Sequence, residues 1–133
     1  MSQVLAIETS TRQGSVALLI EAEVRQEDLG AERAHARDLM PCIDRLLTGS
    51  GLSPSDRDAV VVGRGPGSYT GVRVAAATAL GLARGADVAL VGVPSFESLA
   101  FDALEPGELG TVLRDARSGA VYIARYLRET HAV

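Results

Sequence analysis

The chain has 133 residues, of which 47% are hydrophobic and 23% are charged, and its formal net charge is −4. This length and composition are those of about one globular domain with its own hydrophobic core, and the negative charge argues against a surface that holds a nucleic-acid backbone by itself. The lone Cys42 excludes an internal disulfide and a cysteine zinc site, while the lack of a long apolar run and of a signal peptide predicts a cytoplasmic protein without membrane contact.

The first part of the chain is predicted to form a three-stranded meander. Residues 4–7 make a short apolar strand that ends at the polar run 8–11. A second strand at 15–20 follows so closely that an antiparallel hairpin is favoured. A more polar third strand at 24–29 suits the edge of a sheet.

A helix is predicted from about residue 31 to residue 48, because Leu39, Ile43 and Leu46 recur at spacings of three and four. Pro41 lies inside this pattern, so we expect a kink or a broken first half. Glycines at positions 49 and 51 are expected to end the helix.

The middle of the chain is a β-branched strand at 59–63 that runs directly into a glycine loop, residues 63–71. Ser68 or Thr70 is expected to cap the following helix at 70–84, which is built mainly of small residues. The last third is predicted to contain a buried strand at 88–93, a short helix at 96–104 capped by Ser95, and a hairpin of strands 111–115 and 120–127.

This order of elements predicts an α/β fold with a mixed, mostly parallel sheet. It is the order of a ribonuclease-H-like or actin-like (ASKHA) lobe. We expect residues 1–104 to form this lobe, and residues 105–133 to form a linker and the first hairpin of an incomplete second lobe.

The glycine loop is the first candidate site. A strand, a glycine loop and a helix N-terminus can together bind phosphate, and the candidate residues are Gly65, Gly67, Ser68 and Thr70. However, the spacing does not match G-x-G-x-x-G, and the chain has no Lys for a Walker loop. Close packing of the helix is therefore a competing explanation.

The second candidate is the run Glu8, Thr9, Ser10 and Thr11 at the end of the first strand. An acid beside hydroxyl groups could hold a metal–nucleotide complex or position a water, or the run could simply be a turn that solvates the strand end. A nuclease of this fold needs several convergent carboxylates. Only Glu8 and Asp115 stand at predicted strand ends, so nuclease activity is not expected.

The sequence gives little support for a hydrolase active site or a metal site. The two histidines are widely separated, and the residues around Ser68 do not fit G-x-S-x-G. No catalytic and no metal-binding residue is predicted, and His35 is expected to form hydrogen bonds on a helix surface.

Several segments, in this order, resemble the TsaB (YeaZ) family within the Gcp-like/TsaD superfamily. The stretch Gly-Pro-Gly-Ser-Tyr-Thr-Gly-Val-Arg at 65–73 is the most specific of them. The others are Leu-Ala-Ile-Glu-Thr-Ser-Thr at 5–11, Ser-Val-Ala-Leu at 15–18, the helix at 35–41, Gly-Val-Pro-Ser at 92–95, Asp-Ala-Arg at 115–117 and Val-Tyr at 121–122.

The resemblance implies a subunit of the bacterial machinery that forms N6-threonylcarbamoyladenosine at position 37 of ANN-decoding tRNAs. In that machinery a TsaB-like subunit dimerises with its catalytic paralogue TsaD and activates it, and a TsaE-like ATPase joins them. Contact with tRNA would be indirect, through the complex. The chain would require no cofactor, with ATP bound only at an interface shared within the complex, and homodimerisation in isolation is left open.

Comparison with the paralogue implies that this chain is not itself catalytic. TsaD-like proteins carry a metal-binding His-x-x-x-His pair at the start of the helix after the last core strand. Ser95 and Leu99 correspond to these positions. Neither can replace imidazole as a metal ligand.

The two long helices resemble the pair that TsaB proteins use for dimerisation. The helix at 70–84 has no obvious polar face, and its small residues permit close approach of another helix. The alternative is that both helices only cover the sheet. The candidate interface residues are His35, Leu39, Ile43, Leu46, Val72, Ala75, Ala76 and Ala79.

Two features depart from the family pattern. TsaB-like proteins continue through a second lobe beyond the position of Val133, so the chain is expected to be either a fragment or a short form. Arg114 stands where an apolar residue is expected. Two other functions are also considered: an independent ATP-binding ATPase or kinase-like enzyme of the actin-like superfamily, and a homodimeric regulator or protease.

Overall fold

The N-terminal strands form an antiparallel meander. A computed structural model describes residues 2–30 and 34–130. In it, β1 (Gln3–Glu8) pairs with β2 (Ser15–Ile20), and β2 pairs with β3 (Glu23–Asp28). The predicted meander is confirmed, and β3 lies at the sheet edge as its polar composition indicated.

The sheet becomes parallel in its second half. β4 (Ala59–Gly63) pairs with β1, and β5 (Ala89–Val93) pairs with β4, which gives the strand order β3-β2-β1-β4-β5. α2 (Tyr69–Ala86) is the crossover between β4 and β5. This mixed sheet confirms the predicted α/β fold. The prediction of a buried strand at 88–93 is wrong, because β5 is a largely exposed edge strand; an apolar run alone does not reveal whether another layer covers it.

α1 (His35–Gly49) follows the meander and leads to a short 3₁₀ turn at Pro54–Asp56. The predicted helix start at Ala31 lies outside the described residues. α1 continues through Pro41 without the expected break. Pro41 is on the exposed side, and the packing of the opposite side against the sheet keeps the helix intact despite one missing N–H donor.

The hydrophobic core lies between α1, α2 and one face of the sheet. Because the buried hydrophobic residues that α2 contributes are all alanines, the helix lies close to β4 and β1. The buried members are Leu5, Ile7, Val16, Leu18, Val60 and Val62 from the strands, Leu29 directly after β3, Leu39, Cys42, Ile43, Leu46 and Leu47 from α1, and Ala75, Ala79 and Ala83 from α2.

The opposite face of the sheet is also apolar, and we call it the open face. Strand register places Ala17, Ala6, Val61 and Val91 in one row across four strands. A neighbouring row runs from Val24 through Leu19 to Val4. Both core helices lie on the other side, so in the described part of the chain this face carries no helical layer, and Val24 and Val91 are exposed to 62% and 46%.

The remaining elements form a separate small unit. α3 (Ser95–Ala103) packs against a two-stranded antiparallel sheet of β6 (Leu109–Arg117) and β7 (Ala120–Leu127). Pro94, not Ser95, occupies the cap position of α3, and no side chain caps it. Among the described helices, none combines the length and apolarity needed to cross a membrane.

Candidate functional site

A cleft lies between the five-stranded sheet and the β6–β7 hairpin. Its walls come from the β1–β2 turn, from the glycine loop with the first turn of α2, and from the turn of the hairpin. The cavity measures about 680 Å³. A second cavity of about 400 Å³ shares Arg12, Ser68, Thr70 and Arg117 with it. These volumes lie within the range of small-molecule sites.

The glycine loop is fixed by hydrogen bonds to the segments on either side of it. The Gly65 N–H donates to Ser95 Oγ at 3.0 Å, and the Ser95 N–H donates to Gly65 O at 2.9 Å. On the other side, the Ser68 N–H donates to Ser10 O at 2.8 Å. Ser68 Oγ accepts from the Gly71 N–H at 3.2 Å, which confirms Ser68 as the cap of α2.

Two glycines of the loop are required by close backbone contacts. A Cβ at Gly71 would overlap the carbonyl oxygen of Thr9. A Cβ at Gly67 would overlap Ser10 O and approach Arg114 Nη1 to 2.8 Å. The close-packing explanation of these glycines is therefore confirmed.

Three of the predicted phosphate-loop residues do not line the cleft. Glu8 Oε1 accepts from the Ser10 N–H at 2.6 Å, which is the turn alternative for this run. Thr9 is buried and donates through Oγ1 to Gly71 O at 2.5 Å, and Gly65 is buried against α3. The prediction that these three residues contact a ligand directly is therefore corrected, because their contacts give them a structural role. The cleft is lined by the other candidates, Ser10, Thr11, Gly67, Ser68 and Thr70.

Arg114 connects the hairpin to both loops. Its Nη1 donates to Pro66 O at 2.6 Å and to Ser10 Oγ at 3.2 Å, and its guanidinium lies 5.2 Å from the centre of the Phe96 ring. The sequence marked this residue as unusual without assigning it a role. Its polar partners explain why an arginine is accommodated at a position where an apolar residue was expected.

Four further cleft residues were missed at the level of sequence. They belong to the β1–β2 turn, to the first turn of α2 and to the parts of β6 and β7 next to the hairpin turn, and only the three-dimensional arrangement brings them together. The paired hairpin turns, each containing an arginine, are the one pattern that could have indicated them. These residues are Arg12, Tyr69, Arg117 and Tyr122.

His35 is buried at the start of α1, which corrects its predicted place on a helix surface and in an interface. Its Nε2 lies 3.2 Å from Arg12 O and 3.3 Å from the Gly14 amide nitrogen. Nδ1 has no hydrogen-bond partner among the residues that the structure describes. The side chain therefore connects α1 to the β1–β2 turn beside the smaller cavity.

Most of the predicted interface residues belong to the core. Each helix packs its apolar stripe against the sheet. The prediction that these residues contact another protein is therefore wrong for those that are buried in the core. They are Leu39, Ile43, Leu46, Ala75 and Ala79.

The outer surfaces of α1 and α2 carry a different set of apolar residues. Ala76 is exposed as the interface prediction requires, and Val72 is half-buried. Met40 and Leu80 are exposed to 48% and 41%. These side chains, rather than the buried stripe, are available to another protein.

The region that corresponds to the paralogue's histidine pair is occupied differently here. Ser95 is buried and bonded to Gly65, and Leu99 is exposed. Within residues 2–30 and 34–130, no group of three or more His, Cys, Asp or Glu side chains is arranged to hold a metal ion.

The family model and the most similar curated proteins agree on one family of proteins. The TsaD family model, described as tRNA N6-adenosine threonylcarbamoyltransferase, matches residues 28–133. The chain is 42% identical over 127 residues to "tRNA threonylcarbamoyladenosine biosynthesis protein TsaB" of Haemophilus influenzae, covering 94% of this chain and 54% of that protein. It is 38% identical over 133 residues to the protein of the same name from Escherichia coli, covering 98% and 58%.

A solved structure shares the fold. YeaZ from Pseudomonas aeruginosa matches with a TM-score of 0.91 and 33% identity, over 99% of this chain and 63% of that chain. The chain thus spans little more than half the length of the curated relatives it matches.

Proposed function

Because this chain belongs to the TsaD family and to its TsaB (YeaZ) branch, we propose that it is a subunit of the machinery that forms N6-threonylcarbamoyladenosine at position 37 of ANN-decoding tRNAs. The observation that carries the proposal is the 42% identity to a curated TsaB protein over 94% of this chain. The shared fold with YeaZ supports it. Such a subunit would act in the cytoplasm.

The proposed role is non-catalytic. In this chain Ser95 Oγ is already engaged as the acceptor for the Gly65 N–H, and Leu99 offers no donor atom at the second position. Transferase chemistry would therefore belong to a TsaD-like partner, which this subunit activates by dimerisation. No cofactor is required by the subunit itself, and ATP would bind only at a surface shared within the complex.

The proposed partner surface is the outer side of α1 and α2. Ala76 and Ala77 are small and exposed, so a partner helix could approach α2 closely. Leu80 and Met40 add flexible apolar area to the two helices, which contact each other. The surface is built from exposed residues, so its alteration leaves the core intact.

A co-purification experiment tests this surface. We expect Leu80→Glu and Ala76→Glu to abolish co-purification with a TsaD-like protein, because each places a charge in a small apolar contact. The matched control is Leu99→Glu, which changes a similarly exposed leucine on α3 and should leave co-purification unchanged. Circular dichroism should show native folding in all three variants. Co-purification of the Leu80→Glu and Ala76→Glu variants at the wild-type level would rule out this surface.

The subunit role itself is tested by reconstitution. A TsaD-like protein, a TsaE-like ATPase, ATP, tRNA and threonylcarbamoyl adenylate are incubated with and without this chain. We expect threonylcarbamoyladenosine to accumulate only when the chain is present, with tRNA bound by the complex and not by the isolated chain. Equal product without the chain would contradict the proposal. Sedimentation of the chain alone would show whether it also forms a homodimer.

A further inference from the structure

The β6–β7 hairpin has two faces with different surroundings. One face packs against α3, where the Arg114 guanidinium lies 5.2 Å from the centre of the Phe96 ring. Because side chains alternate along a strand, every second residue of the hairpin lies on the opposite face. The five large apolar side chains of that face, which we call the hairpin patch, are exposed to between 50% and 65%. They are Leu109, Leu113, Val121, Ile123 and Leu127.

The strand register makes the hairpin patch continuous. Leu109 lies opposite Leu127, and Leu113 lies opposite Ile123, so the two members of each pair are direct cross-strand neighbours. The exposed area of the five side chains totals roughly 500 Å², which is as large as the largest apolar patch of a typical monomer and is often a sign of a contact site. Within residues 2–30 and 34–130, no element covers the hairpin patch.

Two opposite charges lie on the same face as the hairpin patch. Asp115 follows Leu113 by two positions on β6, and Arg125 follows Ile123 by two positions on β7. Because the two strands are antiparallel, these charges stand on opposite sides of the Leu113–Ile123 pair. Neither forms an ion pair with another described residue; Asp115 accepts only from the backbone N–H of Arg117, at 2.8 Å. The charge of each is therefore available to another molecule.

This arrangement of charges is complementary to itself. A two-fold axis through the Leu113–Ile123 pair, oblique to the strands, places Arg125 of each copy against Asp115 of the other, as an isologous interface requires. Sheets that pack face to face cross at about 30°, so an oblique axis is the ordinary geometry. Two facing patches would bury about 1,000 Å² of apolar surface, and the polar side chains around them bring the total into the range of specific interfaces.

We propose that two copies of this chain dimerise in solution through their hairpin patches, with Leu113 and Ile123 at the centre of the interface. The apolar contact supplies the affinity. The pairs of Arg125 with Asp115 lie at the exposed rim, where an ion pair contributes little to stability and fixes the orientation of the two copies. The hairpin patch shares no residue with the helical surface proposed above for a TsaD-like partner.

Sedimentation of the purified chain tests the dimer. We expect the average mass to rise toward that of two chains as the concentration passes through the micromolar range. Ile123→Glu should weaken dimerisation by about tenfold or more, because it places two like charges near the two-fold axis. Leu99→Glu is the matched control, since Leu99 is 45% exposed but belongs to α3. Its dimerisation should stay within about twofold of wild type, and circular dichroism should show native folding in both variants.

Disulfide cross-linking tests the geometry. A residue beside a two-fold axis faces its own copy, so Ile123→Cys should give a covalent dimer under mild oxidation that is lost on reduction. The native Cys42 is buried and should not cross-link. Leu99→Cys, which is exposed away from the hairpin patch, should remain monomeric in denaturing electrophoresis without reductant.

Three results would overturn the proposal. These are a monomer at every concentration, equal weakening by Ile123→Glu and Leu99→Glu, and a dimer that Leu80→Glu abolishes while Ile123→Glu leaves it intact. The last result would assign the dimer to the outer side of α1 and α2. A wild-type chain that stays monomeric yet co-purifies with a TsaD-like protein refutes the dimer and leaves the subunit role standing.

Discussion

Arg57 is a buried cation without a partner among residues 2–30 and 34–130. The residue is 3% exposed, and none of its three guanidinium nitrogens forms a hydrogen bond with that part of the chain. Burial lowers the pKa of this guanidinium, which is the sign of an unfavourable environment for the charge. We expect Arg57→Leu to raise the free energy of unfolding by about 1 to 3 kcal/mol, because the desolvation cost of unsatisfied polar groups is removed.

Urea denaturation measures this effect, with Arg125→Leu as the control. Arg125 is exposed, so the same change there should leave the urea midpoint nearly unchanged. A lower midpoint for Arg57→Leu would mean that the guanidinium contributes stabilising contacts that outweigh its burial.

Cys42 makes stability depend on pH in the alkaline range. Burial, together with the nearby carboxylate of Glu27, raises the pKa of the Cys42 thiol from 9.0 to about 11. Below the unfolded value the thiol is protonated in both states. Between the two values the unfolded thiol ionises while the folded one keeps its proton, so the free energy of unfolding falls as pH rises.

The measurement compares urea midpoints of the wild type and Cys42→Ala. The advantage of the wild type should be smaller at about pH 10 than at about pH 8, because only the wild type carries the thiol. A constant difference between the two proteins would contradict the assigned pKa.

The turn and cap residues of the cleft can be predicted from the sequence, whereas its charged residues cannot. Ser10, Thr11, Gly67, Ser68 and Thr70 line the cleft as predicted, because turn and cap chemistry is local. The arginines of the cleft lie in segments distant in sequence, Arg12 in the β1–β2 turn and Arg114 and Arg117 in β6, and only the folded arrangement brings them together. Nothing local to these segments indicates that they line one cavity.

Two glycines of helix α2 should respond in opposite ways to replacement by alanine. A Cβ at Gly71 would overlap Thr9 O, whereas nothing lies within 4 Å of a Cβ at Gly81 in the same helix. Gly71→Ala should therefore destabilise the fold by about 1 to 3 kcal/mol through overpacking. Gly81→Ala should stabilise it by up to about 1 kcal/mol, because alanine is the better helix former. Thermal denaturation compares the two, and changes of the same sign would contradict the packing described here.

Strand and helix positions were predicted more accurately than their exposure. The bounds of β2 agree with the prediction at both ends, because an apolar run next to turn residues is a local signal. The burial of β5 and the interface role of Ala75 and Ala79 were mistaken. Apolar periodicity indicates that one face of an element is covered. It does not indicate whether the covering residues belong to the same chain or to another molecule.

At the scale of the molecule, the open face of the sheet should bind hydrophobic dyes. A row that includes Val61 and Val91 has no helix over it in the described part of the chain. We expect Val91→Lys to reduce the fluorescence of a bound anilinonaphthalene dye, since it interrupts a continuous apolar surface. Leu90→Lys, next to it but on the other face of β5, is the control and should have the smaller effect. An equal loss of fluorescence in the two variants would contradict binding of the dye to the open face.

The bond from Arg114 to Ser10 joins residues 104 positions apart, and this separation bears on how the cleft comes into being. Contacts that close long loops form late in folding, because the entropy of loop closure must be overcome first. A chain emerging from the ribosome also presents β1 to β5 before the last hairpin is made. The helical surface for a protein partner can therefore form before β6 and β7 exist, whereas the cleft appears only when the hairpin docks.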